Sequence, residues 1–271
     1  SPSRPPIRSP ARHSASTHCP GSKITTVPVR HTVRVATASG GAGGHGKDGE
    51  GRVKVIVFGA SGMVGQGVLR ACLLDEGVTE VVAVVRRPLG RTHERLREVV
   101  HQDFTDFSTA ADELSGADAC FFCLGVSSAG RSAADYKRVT YDYTLAAAHT
   151  VAAPELTFTY VSGEGTDSSE HGRSVWGRVK GRTENALLSM DMRAYMFRPG
   201  YIQPVHGETS RTWWYRAVYT LGSVLYPLLR RVASRHVTTT EQLGRAMLAV
   251  VRLEGGAPHI LHSPDINRLG A

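Results

Sequence analysis

Residues 53–65, Val-Lys-Val-Ile-Val-Phe-Gly-Ala-Ser-Gly-Met-Val-Gly, constrain this chain more than any other stretch. An apolar, β-branched run (Val53, Val55, Ile56, Val57, Phe58) breaks into glycines at 59, 62 and 65. A helical pattern follows, carried by Val64, Val68, Leu69, Cys72 and Leu73 at helical spacing. A buried strand, a glycine turn and a helix in that order present a helix N-terminus to a diphosphate. Gly59 permits the tight turn, Gly62 lets backbone approach the phosphates without a Cβ in the way, and Gly65 lets the helix pack on its strand. Ser61, Met63 and Val64 complete the loop and the first helical turn. A bare glycine spacing also fits an ordinary strand-to-helix turn; its place between strand and helix is what points to a ligand.

The pattern after residue 52 alternates. Strands are expected near 53–58, 78–86, 97–101, 117–124, 156–162 and 193–198, and helices near 63–75, 108–115, 134–153, 173–190 and 240–253. A helical insert is expected at about 205–235, centred on 211–233. Thr238 and Glu241 have capping-box spacing ahead of the last helix. Strands separated by helices of this length imply right-handed βαβ units, hence an α/β, doubly wound parallel sheet covered on both faces. Ligands bind such sheets at the carboxyl ends of the strands, so the residues just after each strand carry the chemistry.

The first 51 residues differ from the rest. They are rich in Ser, Thr, Pro, Gly, Arg and His, have no acid before Asp48, and read as a disordered leader or an organelle transit peptide. The second reading places the protein in a plastid or mitochondrion; otherwise it is cytoplasmic. Much of the net charge of +8 sits in this leader: residues 1–52 hold eight Lys/Arg and two acids, +6, leaving +2 for the body. A near-neutral body without a basic stripe argues against a nucleic-acid partner. No apolar run is long enough for a membrane span. Cys120 and Cys123 form a C-x-x-C inside a strand pattern, where positions three apart face opposite ways, so they read as core thiols rather than a redox pair.

The second strand ends in Arg86-Arg87-Pro88, with no acid between Glu80 and Glu94. An NAD site wants an acid here for the ribose 2′-hydroxyl, whereas forked guanidinium donors suit a 2′-phosphate, so NADP(H) is expected ahead of NAD(H). Solvated loop arginines are the other reading. After the third strand, Asp103 and Phe104 stand where an adenine ring would lie; after the fourth, Leu124-Gly125 lets backbone approach the second ribose. Tyr160-Val161-Ser162-Gly163 brings a hydroxyl to the same rim. On the next helix Trp176 and Lys180 share a face, and Pro199-Gly200 ends the sixth strand toward the nicotinamide. Glu164, Asp167 and His171 crowd one loop, but their spacing fits no metal-ligand pattern, and no metal is expected.

Over about residues 53–253 the chain resembles the short-chain dehydrogenase/reductase superfamily, and within it the atypical, Tat-interacting-protein-like NAD(P)-binding branch. The likeness rests on GASGMVG, the CLG after strand four, YVSG, VKGRTENAL and FRPG. It implies a Rossmann fold and a Ser-Tyr-Lys set, in which Tyr is the general acid/base, Ser orients the carbonyl, and Lys holds the ribose and lowers the Tyr pKa. Ser162 matches the serine and Lys180 the lysine; the tyrosine position holds Trp176, whose indole N–H is a donor only. Tyr136, Tyr143 and Tyr201 are the candidate substitutes. The resemblance implies an NADP(H)-dependent oxidoreductase acting on a small carbonyl, alcohol or nucleotide-sugar-like substrate. The alternative is a catalytically lapsed dinucleotide sensor or assembly factor with a protein partner. The segment Trp213-Trp214-Tyr215 to Arg230-Arg231 is expected to be a substrate lid, a partner face or a peripheral membrane contact.

Overall fold

In a computed structural model, which describes residues 52–208 and 234–271, the first strand and helix form where the glycine pattern puts them. The leader and the aromatic-basic stretch at 211–233 lie outside the described residues. Strand β1 (Val53–Phe58) runs into helix α1 (Met63–Leu74), then β2 (Val78–Val85) and β3 (Leu96–Val100). After a short helix α2 (Ala111–Leu114) comes β4 (Ala119–Phe122). Helices α3 (Ala133–Lys137) and α4 (Tyr143–Val151) follow, joined by a π turn over Arg138–Asp142. Strand β5 (Thr157–Val161), helix α5 (Val175–Leu188) and β6 (Arg193–Arg198) complete the second half. The chain then adds β7 (Tyr201–Gln203), β8 (Val237–Thr239), α6 (Thr240–Val251), β9 (Ile260–His262) and α7 (Ser263–Leu269).

The main sheet has seven strands in the order β3-β2-β1-β4-β5-β6-β9, every pair parallel. The winding reverses between β1 and β4, the place where an open α/β sheet leaves a crevice at its strand ends. Period-two alternation along β1 divides the core. Val55 and Val57 face the α1, α6 and α7 side, whereas Ile56 and Phe58 face the α2–α5 side. Cys120 and Cys123 divide the same way, one in each layer, and burial pushes the Cys123 thiol up to about 12. Burial likewise raises the Cys120 thiol, so both positions disfavour a thiolate.

Two expectations are corrected. The capping box of α6 lies one residue further on: Thr239 at the end of β8 is the N-cap and forms it with Gln242. The helix expected over 134–153 is interrupted by the π turn, where the Thr140 carbonyl accepts from Thr144 Oγ1 (2.7 Å). The edge strand β9 and the β7–β8 pair escape the sequence pattern because strands of three residues carry no readable alternation. Helices α1 and α6 meet at small residues, so an added Cβ on Gly67 would lie 2.6 Å from Thr240 Cβ and one on Gly244 2.7 Å from Ala71 Cβ.

Candidate functional site

The loop after β1 is shaped by backbone contact. Gly59 has φ +77°, and an added Cβ would stand 2.7 Å from the Leu124 nitrogen, so only glycine lets the loop lie on the end of β4. A Cβ on Gly65 would overlap the Gly59 carbonyl oxygen, which is why the helix can seat directly on its strand. Gly62 differs from both. It is the N-cap of α1 with φ −85°, and an added Cβ would meet only the Gly59 oxygen, at 3.4 Å. No side chain caps α1, and no acid lies in its first turn. No side chain therefore covers the helix N–H groups at this end, the arrangement that accepts a diphosphate.

Around this loop the strand ends bring the remaining residues together unequally. Arg86 and Arg87 are exposed directly after β2, and neither side chain has an ion-pair partner among the described residues. The Arg86 carbonyl accepts from Gln102 Nε2 (2.7 Å), tying the end of β2 to the loop after β3. Asp103 is exposed, and its carboxylate accepts from the Thr105 N–H and hydroxyl, which hold its pKa below the usual range. Phe104 does not stand at the surface as an adenine wall. Its ring is 5% exposed and packs edge-on against Phe107 and Phe58, because the turn after β3 folds back onto the core. Leu124 and Gly125 follow β4 beside Gly59, and Gly125 is exposed with no atom near its missing Cβ.

The second half of the rim is more densely wired. Ser162 is buried, and both its N–H (2.9 Å) and its hydroxyl (3.1 Å) donate to the Phe197 carbonyl. Lys180 reaches the same strand end: its ammonium donates to the Ser162 carbonyl and, at 3.3 Å, to that of Val161. It lies 5.4 Å from the Trp176 ring centre and 5.9 Å from that of Tyr160. Burial, partly offset by Glu184, lowers the Lys180 pKa to about 8. The Trp176 indole covers the loop after β5, with Cζ2 at 3.4 Å from the Cβ position of Gly163 and Cζ3 at 3.5 Å from that of Gly165. Both glycines have positive φ, +136° and +84°.

Helix α5 holds this arrangement. Ser174 caps it by accepting from the Gly177 N–H (3.2 Å). The loop at 165–168 then lies on its glycine face, since a Cβ on Gly177 would stand 2.9 Å from the Gly165 oxygen and one on Gly181 would overlap the Asp167 oxygen. Glu184 does not pair with Lys180 one turn away. Its fully buried carboxylate accepts from Arg198 at the end of β6, with Nε 3.1 Å from each oxygen and Nη2 closer still, and Arg198 also donates to Ser168 Oγ (2.5 Å). The glutamate of VKGRTENAL and the arginine of FRPG are thus two halves of one buried ion pair.

The three tyrosines have other contacts. Tyr136 is 1% exposed, and burial pushes its phenol up to about 12. Tyr143 packs on Phe104, and the Tyr201 hydroxyl donates to Gln203 Oε1 (3.0 Å). Asp167 uses its carboxylate on the Ser169 and Gly172 N–H groups, so it braces its own loop. Among the described residues no cluster of His, Cys, Asp and Glu suits a metal ion, and no helix is long and apolar enough to cross a membrane. A cavity of about 580 Å³ opens elsewhere, on the flank of α1, lined by Gln66, Arg70, Arg91, His93, His206 and Glu208.

Residues 59–156 match the model of a family described as NAD(P)H-binding. No curated protein matches the sequence significantly. Among solved structures, a short-chain dehydrogenase/reductase-family oxidoreductase from Burkholderia thailandensis has a TM-score of 0.58 at 17% identity, over 78% of this chain and 91% of its own. The Bordetella bronchiseptica enzyme WbmF in complex with NAD+ has a TM-score of 0.57 at 16% identity, over 81% and 76%. UDP-glucuronic acid 4-epimerase from Bacillus cereus in complex with NAD has 0.54 at 13%, over 77% and 76%. At these identities the structural likeness is one of fold. The seven-stranded parallel sheet has the Rossmann arrangement, and residues 59–156 within it are the part that matches the NAD(P)H-binding model. The likeness in fold takes in a short-chain dehydrogenase/reductase-family oxidoreductase and NAD-bound enzymes, and Trp176 stands where the resemblance in sequence puts the tyrosine.

Proposed function

We propose that the chain is an NADP(H)-dependent oxidoreductase acting on a small carbonyl or alcohol, with nucleotide sugars among the candidate substrates. The observation that carries this reading is the approach of Lys180 to the end of β5, where its ammonium, the Ser162 backbone and the Trp176 ring meet. The bound dinucleotide supplies or removes a hydride equivalent. The chain's own residues do the rest: the N–H groups of Met63 and Val64 receive the diphosphate, Arg86 and Arg87 the 2′-phosphate, and Lys180 a ribose hydroxyl. Ser162 orients the substrate oxygen once its hydroxyl swings away from the Phe197 carbonyl. That two fold neighbours carry NAD, one of them a UDP-sugar epimerase, supports the substrate class.

Replacing Arg86 with Ala tests the nucleotide. A charged hydrogen bond contributes about 1.5–3 kcal/mol, so NADPH affinity falls about ten- to a hundred-fold while NADH affinity holds. Equal loss for both nucleotides, measured by calorimetry, rejects the 2′-phosphate role. Oxidoreductase activity is tested as NADPH consumption with small aldehydes and ketones, and as NADP+ reduction with UDP-glucose.

A second reading has one observation in its favour. Trp176 fills the space over Gly163 and Gly165 with an indole that cannot exchange a proton, as expected of a dinucleotide sensor that has lost catalysis. It requires tight NADPH binding without turnover, and a partner whose affinity changes with the nucleotide.

A further inference from the structure

The oxidoreductase reading leaves the proton unassigned. A titratable pair stands on the same rim and takes no part in the interactions described above. His236, at the end of a short 3-10 turn, places Nδ1 2.7 Å from Oε1 of Glu164, and both side chains are about half exposed. Glu164 lies between Gly163 and Gly165, the two glycines under the Trp176 ring. Its N–H donates to the Pro199 carbonyl (2.9 Å) at the end of β6, and its Oε2 lies 2.7 Å from the Cβ position of Gly200. A Cβ on Gly200 would also overlap the His236 carbonyl oxygen. The pair therefore sits between the ends of β5 and β6, two residues from Ser162 and against the loop that Trp176 covers.

The chemistry of the pair is directional. A carboxylate offers only acceptors, so the shared proton belongs to Nδ1. That fixes the neutral tautomer, leaving Nε2 as the atom that takes or gives a proton, and Nε2 has no partner among the described residues. A histidine oriented through one nitrogen by a carboxylate and open at the other is the arrangement of a general acid/base. None of the three tyrosines is oriented by a carboxylate in this way: Tyr136 is buried, Tyr143 packs on Phe104, and the Tyr201 hydroxyl donates to Gln203.

We infer that His236 Nε2, oriented by Glu164, supplies the proton that the missing tyrosine would have supplied. The inference rests on the oxidoreductase reading. In carbonyl reduction the carbon gains a hydride from the reduced nicotinamide and the C=O π pair moves onto oxygen. That oxygen takes the proton from the imidazolium Nε2, the alcohol forms, the dinucleotide is oxidised by two electrons, and solvent reprotonates the exposed ring. Glu164 is a positioning residue, acting only through His236.

The test uses the full chain, with any of the aldehydes, ketones or UDP-glucose that turns over. His236→Ala is expected to lower kcat about 10²–10⁴-fold, with added imidazole restoring part of the rate. NADPH affinity, measured by calorimetry, is expected to stay within about two-fold, since the proposed nucleotide contacts lie on other residues. Independently of activity, imidazole ¹⁵N spectra should show the neutral His236 ring protonated at Nδ1, and Glu164→Gln should shift it toward the Nε2 tautomer. Unchanged kcat in His236→Ala, loss without imidazole rescue, or a tautomer indifferent to Glu164 overturns the inference and leaves the oxidoreductase reading standing. Wild-type protein that binds NADPH but turns over none of the probes overturns both.

Discussion

The loop after β1 and the loop after β5 are both built on glycines, yet they use them in opposite ways. After β1, Gly59 and Gly65 bring backbone against backbone, and at Gly62 no side chain caps the helix N-terminus. After β5, Gly163 and Gly165 make room that the chain fills itself with the Trp176 ring, while Gly177 and Gly181 let α5 lie under the loop. The first loop is a seat kept clear for a ligand; the second is a seat already occupied by a side chain. The proposed cofactor seat and the proposed catalytic rim are therefore separate in this molecule, and each can be disturbed alone.

The largest expected effects come from the glycines that admit no Cβ in either loop. Gly65→Ala and Gly181→Ala each place a methyl group inside a backbone carbonyl, so each should cost more than about 4 kcal/mol of unfolding free energy in urea titration, above the ordinary overpacking range. Tolerance of Gly181→Ala alone would show that the second loop can yield and the first cannot. Next is the ion pair bracing the second rim. Glu184→Gln leaves the Arg198 guanidinium buried without its counter-charge, an expected loss of about 3 kcal/mol. Pairing it with Arg198→Met should recover part of that loss, since an apolar pair has no charge to desolvate.

Gly62→Ala sharpens the contrast. The position has negative φ and room for a methyl group, so stability should hold, whereas NADPH affinity should fall about ten-fold as the methyl group obstructs charged hydrogen bonds at the helix end. Equal affinity would mean that the diphosphate lies elsewhere. The smallest effect concerns Lys180. Its pKa falls from 10.5 to about 8 on folding, so between those values the unfolded chain still holds a proton that the folded protein has released. Stability must therefore rise with pH across that window, by about 1–2 kcal/mol after allowing for partial solvent contact, relative to Lys180→Met. Parallel profiles for the two proteins would show that the ammonium pays no desolvation cost.

Much of this was legible in residue order. The 53–65 pattern and the alternation of strands with helices specify a doubly wound sheet, because local periodicity and short right-handed connections admit few other arrangements. The same reading locates Arg86 and Ser162 at strand ends and Trp176 and Lys180 on one face of the following helix. It misjudges Phe104, whose position after β3 suggested an exposed aromatic, because only the packing of Phe58 and Phe107 shows that the turn folds inward. Two pairings carried no local signal: Glu184 with Arg198, 14 residues apart, and Glu164 with His236, 72 apart.

The sequence by itself determined the fold class and the glycine turn before α1, which follow from residue type at a local spacing, and its resemblance to a known superfamily marked Trp176 as a departure. The tertiary structure decided which charges are paired, which aromatic rings are buried, and which histidine meets Glu164 at the end of β5. Those outcomes depend on strands brought side by side from distant parts of the chain, where an ion pair or an orphaned nitrogen exists only once the sheet has formed.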